Sequence, residues 1–298
     1  MFQKVGFVGI GVMGFHMAKH LVEKGFEVTV YDHNADKCQA LAEVGAKVAP
    51  SLDKVAADAE IVFTMLPNEN IVREVILGEG GVASGAKPGT VFANSSTVSP
   101  QSNVSLAADL EKLGMRFLED PVTGSGLQSK AGTLVFIGAG EKELFDQAMP
   151  LYEAMGKGAY YGGPKIGSAA YAKLASNAMM AMNMCSFAEA LTIAYKAGVD
   201  PEMFVNFCAG GGPRSAMADL KVGKIMKRDF SPTFFSRLMY KDTVLSSDLA
   251  RNIGVPTPML NLAKELFNIT CLEGYSEDDL CAVVKLYENW ASVTIEKE

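Results

Sequence analysis

The chain has 298 residues, of which 49% are hydrophobic and 20% are charged. This length accommodates two domains, and this composition is typical of a packed globular protein rather than of a disordered chain. The formal net charge is −7 and the sequence contains no basic run, which argues against nucleic acid or an anionic membrane surface as a partner.

Five cysteines are scattered along the chain without the C-x-x-C spacing of zinc or redox sites. An odd number of dispersed cysteines predicts reduced, buried thiols, a cytoplasmic location and no metal site. No uncharged apolar run approaches the length of a membrane-spanning helix, which predicts that the protein does not enter the membrane. The glycines that follow the first lysine also argue against a signal peptide.

The beginning of the chain carries the pattern of a dinucleotide-binding site. A buried strand is predicted over residues 5–10, a helix over 15–24 and a second strand over 26–31, with a G-x-G-x-x-G motif between the first two elements. The first glycine allows a tight turn, the second lets the backbone approach a pyrophosphate, and the third packs the helix against the strand. The predicted cofactor loop consists of Gly9, Ile10, Gly11, Val12, Met13 and Gly14.

Asp32 stands at the end of the second predicted strand, where a carboxylate governs the choice of cofactor. Such a carboxylate accepts hydrogen bonds from the adenosine ribose and repels the 2′-phosphate of NADP. The next residues are His33 and Asn34, with no arginine, although Lys37 lies nearby. The sequence therefore predicts NAD as the cofactor, with NADP less favoured.

Strand and helix patterns continue to alternate through the first half of the chain. Further strands are predicted over residues 61–66, 90–94, 115–119, 134–138 and 159–161. This alternation predicts a mostly parallel sheet with helices on both faces, whose ligands bind beyond the carboxyl ends of the strands. Three segments that follow predicted strand ends should therefore surround one crevice, namely residues 67–68, 96–97 and 121–124.

The stretch from residue 166 to residue 198 predicts one helix of about thirty residues, because it is rich in Ala, Leu and Met. Lys173 and Asn177 interrupt its apolar surface, and their i,i+4 spacing places them one turn apart on the same side. A lysine on a long helix is more often a solvated surface residue. The small residues that begin this helix argue otherwise, because they let a large group lie close to it.

Capping signals divide the second half of the chain into helices, and strand patterns fade there. Asp200 followed by Pro201 predicts a helix start, and a helix beginning at Pro100 is predicted in the same way in the first half. Ser276 with Asp279 predicts a capping box for the last helix.

The predicted fold is therefore α/β, with two domains. Residues 1–163 are predicted to form a Rossmann-type, doubly wound, mostly parallel sheet that binds the dinucleotide. Residues 164–298 are predicted to form an all-α domain for substrate binding and oligomerisation. The long helix would join the two domains and form the wall between them.

All three histidines lie within the first predicted helix or at the adenosine end of the cofactor site. None is placed to reach a nicotinamide, which leaves Lys173 as the best candidate for proton transfer. A lysine begins with a pKa of about 10.4, which is too high for a base at neutral pH. Burial and the positive charge of oxidised nicotinamide would both disfavour the ammonium form. Asn177 can hold the substrate or the amine without adding charge.

Several further motifs occur in one order along the whole chain, and in combination they are highly specific. They are Gly9-x-Gly11-x-Met13-Gly14, Met65-Leu66-Pro67, Ser96-Thr97-x-x-Pro100, Pro121-Val122-Thr123-Gly124, Gly132-Thr133-Leu134, Lys173-x-x-x-Asn177 and Lys241-Asp242. With these motifs the chain resembles the β-hydroxyacid dehydrogenase family.

The resemblance implies a hydride transfer between NAD(H) and a small β-hydroxy acid or its semialdehyde, similar to 3-hydroxyisobutyrate. It implies that Lys173 is the general acid–base and that Asn177 assists it. The residues implied to hold the substrate carboxylate are Ser96, Thr123 and Gly124, and those implied to contact the cofactor are Leu66, Pro67, Thr97 and Lys241. It also implies a homodimer or homotetramer formed through the helical domain.

The chain departs from the family pattern close to the expected substrate pocket. Asn94 replaces the aspartate of D-x-S-T, the pair Glu119-Asp120 replaces D-A, and Ser125 and Gln128 replace glycines. These changes leave the identity of the acid open. Two other functions stay open as well: a non-catalytic NAD(H)-binding sensor, and a reductase of imines or other short-chain aldehydes on the same scaffold.

Overall fold

The computed structural model describes residues 2–296. The chain divides into two compact units, Met1–Lys173 and Leu174–Glu298. The division falls within the long helix predicted from the sequence, whose first turns therefore belong to the first unit. The domain boundary at residues 163/164 stays a prediction.

The first unit is built on one sheet of nine strands. In chain order they are β1 (Lys4–Val8), β2 (Glu27–Tyr31), β3 (Lys47–Val48), β4 (Ile61–Thr64), β5 (Val91–Asn94), β6 (Arg116–Glu119), β7 (Val122–Thr123), β8 (Leu134–Gly140) and β9 (Gly156–Tyr161). The spatial order is β3-β2-β1-β4-β5-β6-β8-β7, and β9 pairs with β8. The first six strands are parallel, in the order that dinucleotide-binding folds share.

The prediction of a mostly parallel, doubly wound sheet is confirmed. Two antiparallel pairs, β6 with β8 and β7 with β8, were not predicted. The reason is the brevity of β7, whose two residues follow Pro121 and carry too little pattern to identify as a strand.

Seven helices and one 3₁₀ turn belong to the connections of this sheet or follow its strands. The helices are α1 (Gly14–Glu23), α2 (Ala35–Ala42), α3 (Leu52–Val55), α4 (Glu69–Leu77), α5 (Pro100–Lys112), α6 (Gly126–Lys130) and α7 (Lys142–Met155), and the 3₁₀ turn is Val82–Gly85. The predicted start of α5 at Pro100 is confirmed, because the Ser99 side chain caps it by accepting from Ser102 N.

The predicted long helix is present as α8 (Ser168–Lys196), with 29 residues. The further helices are α9 (Pro201–Ala209), α10 (Ala216–Met226), α11 (Ser236–Asn252), α12 (Pro258–Thr270) and α13 (Val284–Ala291). A π-helical segment, Cys271–Tyr275, follows α12, and a 3₁₀ turn, Leu280–Val283, leads into α13. Despite the length of α8, no helix within residues 2–296 is long and apolar enough to cross a membrane.

The capping prediction at α9 is confirmed, because Asp200 accepts from Met203 N and Pro201 occupies the first turn. The predicted capping box of Ser276 with Asp279 is wrong. Asp279 is itself the N-cap of the 3₁₀ turn, where it accepts from Cys281 N at 3.1 Å. Its carboxylate is also paired with the buried Lys221, 2.8 Å away, so it cannot turn back to Ser276.

Candidate active site

The glycine loop between β1 and α1 has the shape that a dinucleotide requires. Gly9 has a φ of +96°, and an added Cβ there would collide with the Met65 carbonyl oxygen. An added Cβ at Gly14 would collide with the carbonyl oxygen of Gly9, so α1 packs directly on the strand end. At Gly11, by contrast, no atom of the described chain lies within 4 Å of an added Cβ. The backbone of Gly11 is therefore open to close approach by a pyrophosphate.

Asp32 lies beside this loop, at the end of β2. Its Oδ2 accepts a hydrogen bond from Ile10 N at 2.6 Å, and its Oδ1 accepts from Asn34 N at 2.9 Å. These bonds fix the carboxylate against the glycine loop. Because a carboxylate has about four acceptor positions, both oxygens keep capacity for a further donor such as a ribose hydroxyl.

The segments that follow β4 and β5 are joined by the side chain of Ser96. Its Oγ accepts from Leu66 N at 2.9 Å and lies 3.3 Å from the Thr64 carbonyl oxygen, to which it donates. Ser96 is buried, whereas Pro67 is exposed and Thr97 is half-buried. The sheet thus brings Leu66, Pro67, Ser96 and Thr97 to the carboxyl ends of two adjacent strands, as the sequence predicts.

A chain of buried polar side chains runs beneath these strand ends. Asn94 Oδ1 accepts from Thr64 Oγ1 at 3.0 Å, and Asn94 Nδ2 donates to Asn103 Oδ1 at 2.9 Å. Asn103 Nδ2 then donates to Glu119 Oε2 at 2.8 Å. All four side chains are buried, so each bond replaces a contact with water that the group has lost.

This series of hydrogen-bonded side chains ends at the start of α8. Glu119 Oε1 accepts from Ala169 N at 2.7 Å, in the first turn of the helix. A carboxylate placed there satisfies an amide that has no partner within the helix, and it is favoured by the helix dipole. Burial raises the pKa of Glu119, and the bonds from Ala169 and Asn103 oppose that rise. Glu119 therefore fixes the first turn of the helix that carries Lys173.

Lys173 lies one turn beyond Ala169 on α8, and its side chain is buried, with the residue only 8% exposed. A lysine on a helix is normally solvated, so the burial of Lys173 is unusual, and among the described residues it shares this property with Lys221 on α10, which is paired with Asp279. Asn177 follows one turn later and is also buried. Their spacing on one continuous helix places both side chains on the same side.

In the second unit, Asp242 on α11 holds the amide of Asn177. Asn177 Nδ2 donates to Asp242 Oδ2 at 2.6 Å, and Lys241 Nζ lies 3.2 Å from Asp242 Oδ1. Since the amino group of Asn177 faces Asp242, its carbonyl oxygen is the end that can accept from an amine or a hydroxyl. Asp242 belongs to the Lys241-Asp242 motif, but the sequence predicts no role for it, because its partner lies 65 residues away.

Thr123 and Gly124 lie where β7 ends, and both are exposed. Ser125 and Gln128 follow them and close a capping box at the start of α6. Ser129 Oγ donates to Met13 O at 2.8 Å, which joins this segment to the glycine loop. The segment predicted to hold the substrate carboxylate at Thr123 and Gly124 is therefore bonded to the glycine loop within the first unit. Lys241, also predicted to contact the cofactor, lies on α11 in the second unit.

The open glycine loop, the acidic strand end and the parallel strand order define a dinucleotide-binding protein, and the residues present fit an NAD-type cofactor. Residues 4–163 match the family described as the NAD binding domain of 6-phosphogluconate dehydrogenase. Residues 167–287 match the family described as NAD-binding of NADP-dependent 3-hydroxyisobutyrate dehydrogenase.

The proteins that this chain is similar to match nearly its whole length. A 2-(hydroxymethyl)glutarate dehydrogenase from Eubacterium barkeri is 33% identical over 293 residues, which is 98% of this chain and 97% of that protein. Glyoxylate/succinic semialdehyde reductase 2 from Arabidopsis thaliana is 33% identical, covering 94% of this chain and 78% of that protein. A crystal structure of 3-hydroxyisobutyrate dehydrogenase from Salmonella typhimurium superposes with a TM-score of 0.88 at 26% identity, covering 95% of this chain and 99% of that one. The chain belongs to the β-hydroxyacid dehydrogenase family and is an oxidoreductase.

Proposed function

We propose that the protein catalyses the NAD-dependent interconversion of a small β-hydroxy acid and its semialdehyde, with Lys173 as general acid–base. The observation that carries this proposal is the buried amine of Lys173, one turn beyond a helix start that Glu119 caps. Two of the relatives are named for a hydroxy-acid dehydrogenase and a semialdehyde reductase, which supports a substrate pair similar to 3-hydroxyisobutyrate and its aldehyde.

Bound NAD would accept hydride in the oxidation and return it in the reduction. In the oxidation the neutral amine of Lys173 removes the proton from the substrate hydroxyl. In the reduction, the ammonium form donates the proton to the carbonyl oxygen of the aldehyde.

Asn177 acts in this scheme through its carbonyl oxygen. Asp242 accepts a proton from the amide nitrogen of Asn177, so the amide carbonyl oxygen is the acceptor that can orient either the amine of Lys173 or the hydroxyl of the substrate. Asn177 itself adds no charge beside Lys173 on α8. An aspartate at position 177 would instead favour the ammonium form and weaken the base.

We assign the substrate carboxylate to the exposed Thr123 hydroxyl and the exposed Gly124 backbone. The contact predicted for Ser96 stays a prediction, because its hydroxyl would first have to leave the Thr64 carbonyl. The cofactor contacts of Leu66, Pro67, Thr97 and Lys241 are likewise part of this proposal.

We also propose a homodimer or homotetramer formed through the helical unit. Large apolar side chains are exposed there, including Ile193, Phe207, Leu272 and Trp290. A cytoplasmic location rests on the five cysteines, all of which are free thiols.

Asp32 is proposed to select NAD over NADP. Replacing Asp32 with asparagine removes the charge that repels a 2′-phosphate, so the ratio of kcat/KM for NAD to that for NADP should fall at least about tenfold. Asp36→Asn, at an exposed carboxylate on α2, is the matched control and should leave the ratio unchanged. Equal use of the two cofactors by the native enzyme would contradict the assignment.

A substrate panel tests the function itself. Serine, 3-hydroxyisobutyrate, glycerate, 3-hydroxypropionate and 4-hydroxybutyrate would be assayed with NAD and with NADP, and the matching aldehydes with the reduced cofactors. We expect turnover of at least one β-hydroxy acid with NAD. Reduction of imines in preference to carbonyls would favour an imine reductase, and tight NADH binding without any turnover would favour a sensor.

A further inference from the structure

Gln128 lies next to the segment that we assign to the substrate carboxylate. It belongs to α6, and its backbone is held on both sides. Its carbonyl oxygen accepts from Thr133 N at 2.9 Å, and the next residue, Ser129, is bonded to Met13 of the glycine loop. His20 Nε2, from α1, lies 3.0 Å from the Ser129 carbonyl oxygen. The position of Gln128 is therefore fixed by the sheet connection and by the cofactor loop together.

The orientation of the Gln128 side-chain amide follows from its partners. Its Oε1 lies 2.9 Å from Ser125 N and 2.5 Å from Ser125 Oγ. A backbone N–H can only donate, so the atom that faces it must be the carbonyl oxygen of the amide. The amino group, Nε2, consequently points away from Ser125. Within residues 2–296 this Nε2 donates no hydrogen bond.

The stem of Gln128 lies against the turn that carries the predicted carboxylate contacts. Gly124 has a φ of +131°, and an added Cβ there would lie 3.1 Å from Gln128 Cβ and 3.7 Å from Gln128 Cγ. The Thr123 hydroxyl, on the other side of Gly124, is exposed and has no hydrogen-bond partner among the described residues. The Thr123 hydroxyl therefore adjoins the exposed Gly124 backbone on one side, and the stem of Gln128 packs against it. Neither this hydroxyl nor Gln128 Nε2 has a hydrogen-bond partner among the described residues.

We propose that Gln128 is a substrate-binding residue that donates from Nε2 to the carboxylate of the hydroxy acid, next to Thr123 and Gly124. The inference rests on the proposed function and adds to it the means by which this chain holds the acid. A carboxylate matches this group of donors because it only accepts hydrogen bonds. Fixing Oε1 to Ser125 lowers the entropy that the side chain loses when the acid binds.

Two other roles for Gln128 make different predictions. A purely structural role would need only Oε1, which caps α6 through Ser125. A cofactor role would have Nε2 contact the pyrophosphate, since an added Cβ at Gly126 would lie 2.7 Å from Val12 Cγ1 on the glycine loop. The exposed Thr123 hydroxyl beside Gly124 favours the substrate over both.

Gln128→Glu separates these roles, because a glutamate keeps both bonds from Ser125 and replaces the outward amino group by an anionic oxygen. The five acids of the panel would be titrated calorimetrically onto the enzyme–NADH complex, in which no turnover occurs. For any acid that the native enzyme binds, we expect Kd to rise about 10–100-fold in Gln128→Glu. The Tm and the Kd for NADH should stay close to native values.

Gln128→Met is the second variant, since it keeps the length of the side chain and removes both polar ends. A loss of acid affinity in Gln128→Met with native affinity in Gln128→Glu would overturn the proposal and leave Gln128 a cap only. A rise in the Kd for NADH in Gln128→Glu, with acid binding unchanged, would overturn it in favour of a cofactor contact. If no acid binds the native complex and no acid is turned over, the proposed function fails first, and this inference fails with it.

Discussion

Lys173→Met is expected to lower kcat for hydroxy-acid oxidation by about 10²–10⁴-fold, because a positioned general base contributes that much to a proton transfer. Methionine keeps the apolar stem and the packing of a buried side chain, so the loss should come from the amine and not from unfolding. Steady-state kinetics on the best acid of the panel measure kcat, and fluorescence titration measures the Kd for NADH. The Kd should stay within about twofold of the native value, because the base is assigned to the substrate.

Lys196→Met is the matched control for this substitution. Lys196 lies near the end of the same helix and is exposed, and its amine is bonded to the Ala291 carbonyl oxygen. Removing it costs an exposed contact of small energy and should leave kcat near the native value. If the two methionine variants have equal kcat, Lys173 is not the base.

Asp120 should make the protein less stable as the pH rises. This carboxyl is fully buried at the end of β6, where Ser95 Oγ donates to its Oδ1 at 3.1 Å. Burial raises the pKa of Asp120 to about 8, the bond from Ser95 opposes that rise, and the neighbouring Glu119 carboxyl adds to it. In the unfolded chain an aspartate titrates with a pKa of about 3.9.

The direction of this pH dependence follows from the number of protons bound in the folded and unfolded states. Between about pH 4 and pH 8 the folded protein keeps a proton on Asp120 that the unfolded chain has lost. The contribution of Asp120 to stability is therefore complete below pH 4 and disappears as the pH approaches 8. The free energy of unfolding should fall by up to about 1.4 kcal/mol per pH unit in this window on account of this group.

Asp120→Asn tests this directly, because asparagine imitates the neutral acid and still accepts from Ser95. Urea unfolding at several pH values between 5 and 8 measures the free energy of unfolding of both proteins. The value for the variant, relative to that of the native protein, should increase by up to about 4 kcal/mol from pH 5 to pH 8. Burial also raises the pKa of Glu119, so this group adds its own pH dependence to the stability of both proteins. The difference in free energy of unfolding between the two proteins isolates the contribution of Asp120. Glu153→Gln, at an exposed position on α7, is the control, and its free energy of unfolding should change with pH as that of the native protein does. If the free energy of unfolding of Asp120→Asn also changes with pH as in the native protein, the assignment is contradicted.

The parts of the fold that sequence predicts well are those whose signals are local. The glycine loop, the first strands and the cap of α5 are each encoded within a few consecutive residues. The long helix α8 was predicted for the same reason, because it lacks glycine and proline over its whole length. Parallel strand order followed from strand–helix alternation, for which only a few topologies are available.

The parts that could not be predicted depend on partners far away in the sequence. The Glu119 cap of α8 bridges 50 residues, and the bond from Asn177 to Asp242 bridges 65. No spacing in the sequence identifies such pairs. Even the local capping signal at Asp279 failed, because the buried Lys221 lies 58 residues away and takes the carboxylate. Long-range electrostatics overrode a short motif there.

Gln128 and Asp120 are a mixed case. The sequence marks both as departures from a family pattern, but it does not indicate what either substituted residue does. For Gln128 the role is inferred from its bonds to Ser125, and for Asp120 from its complete burial beside Ser95. A substituted position becomes interpretable only when the partners of its polar atoms are known.

The most direct test of the account is the single-turnover rate of NADH formation by Lys173→Ala, with NAD and the best acid both saturating. If Lys173 is the base, the rate should be about 10²–10⁴-fold below the native rate and should increase when ethylamine is added as a substitute base. A rate within about twofold of the native enzyme, without added amine, would show that the buried lysine does not move the proton.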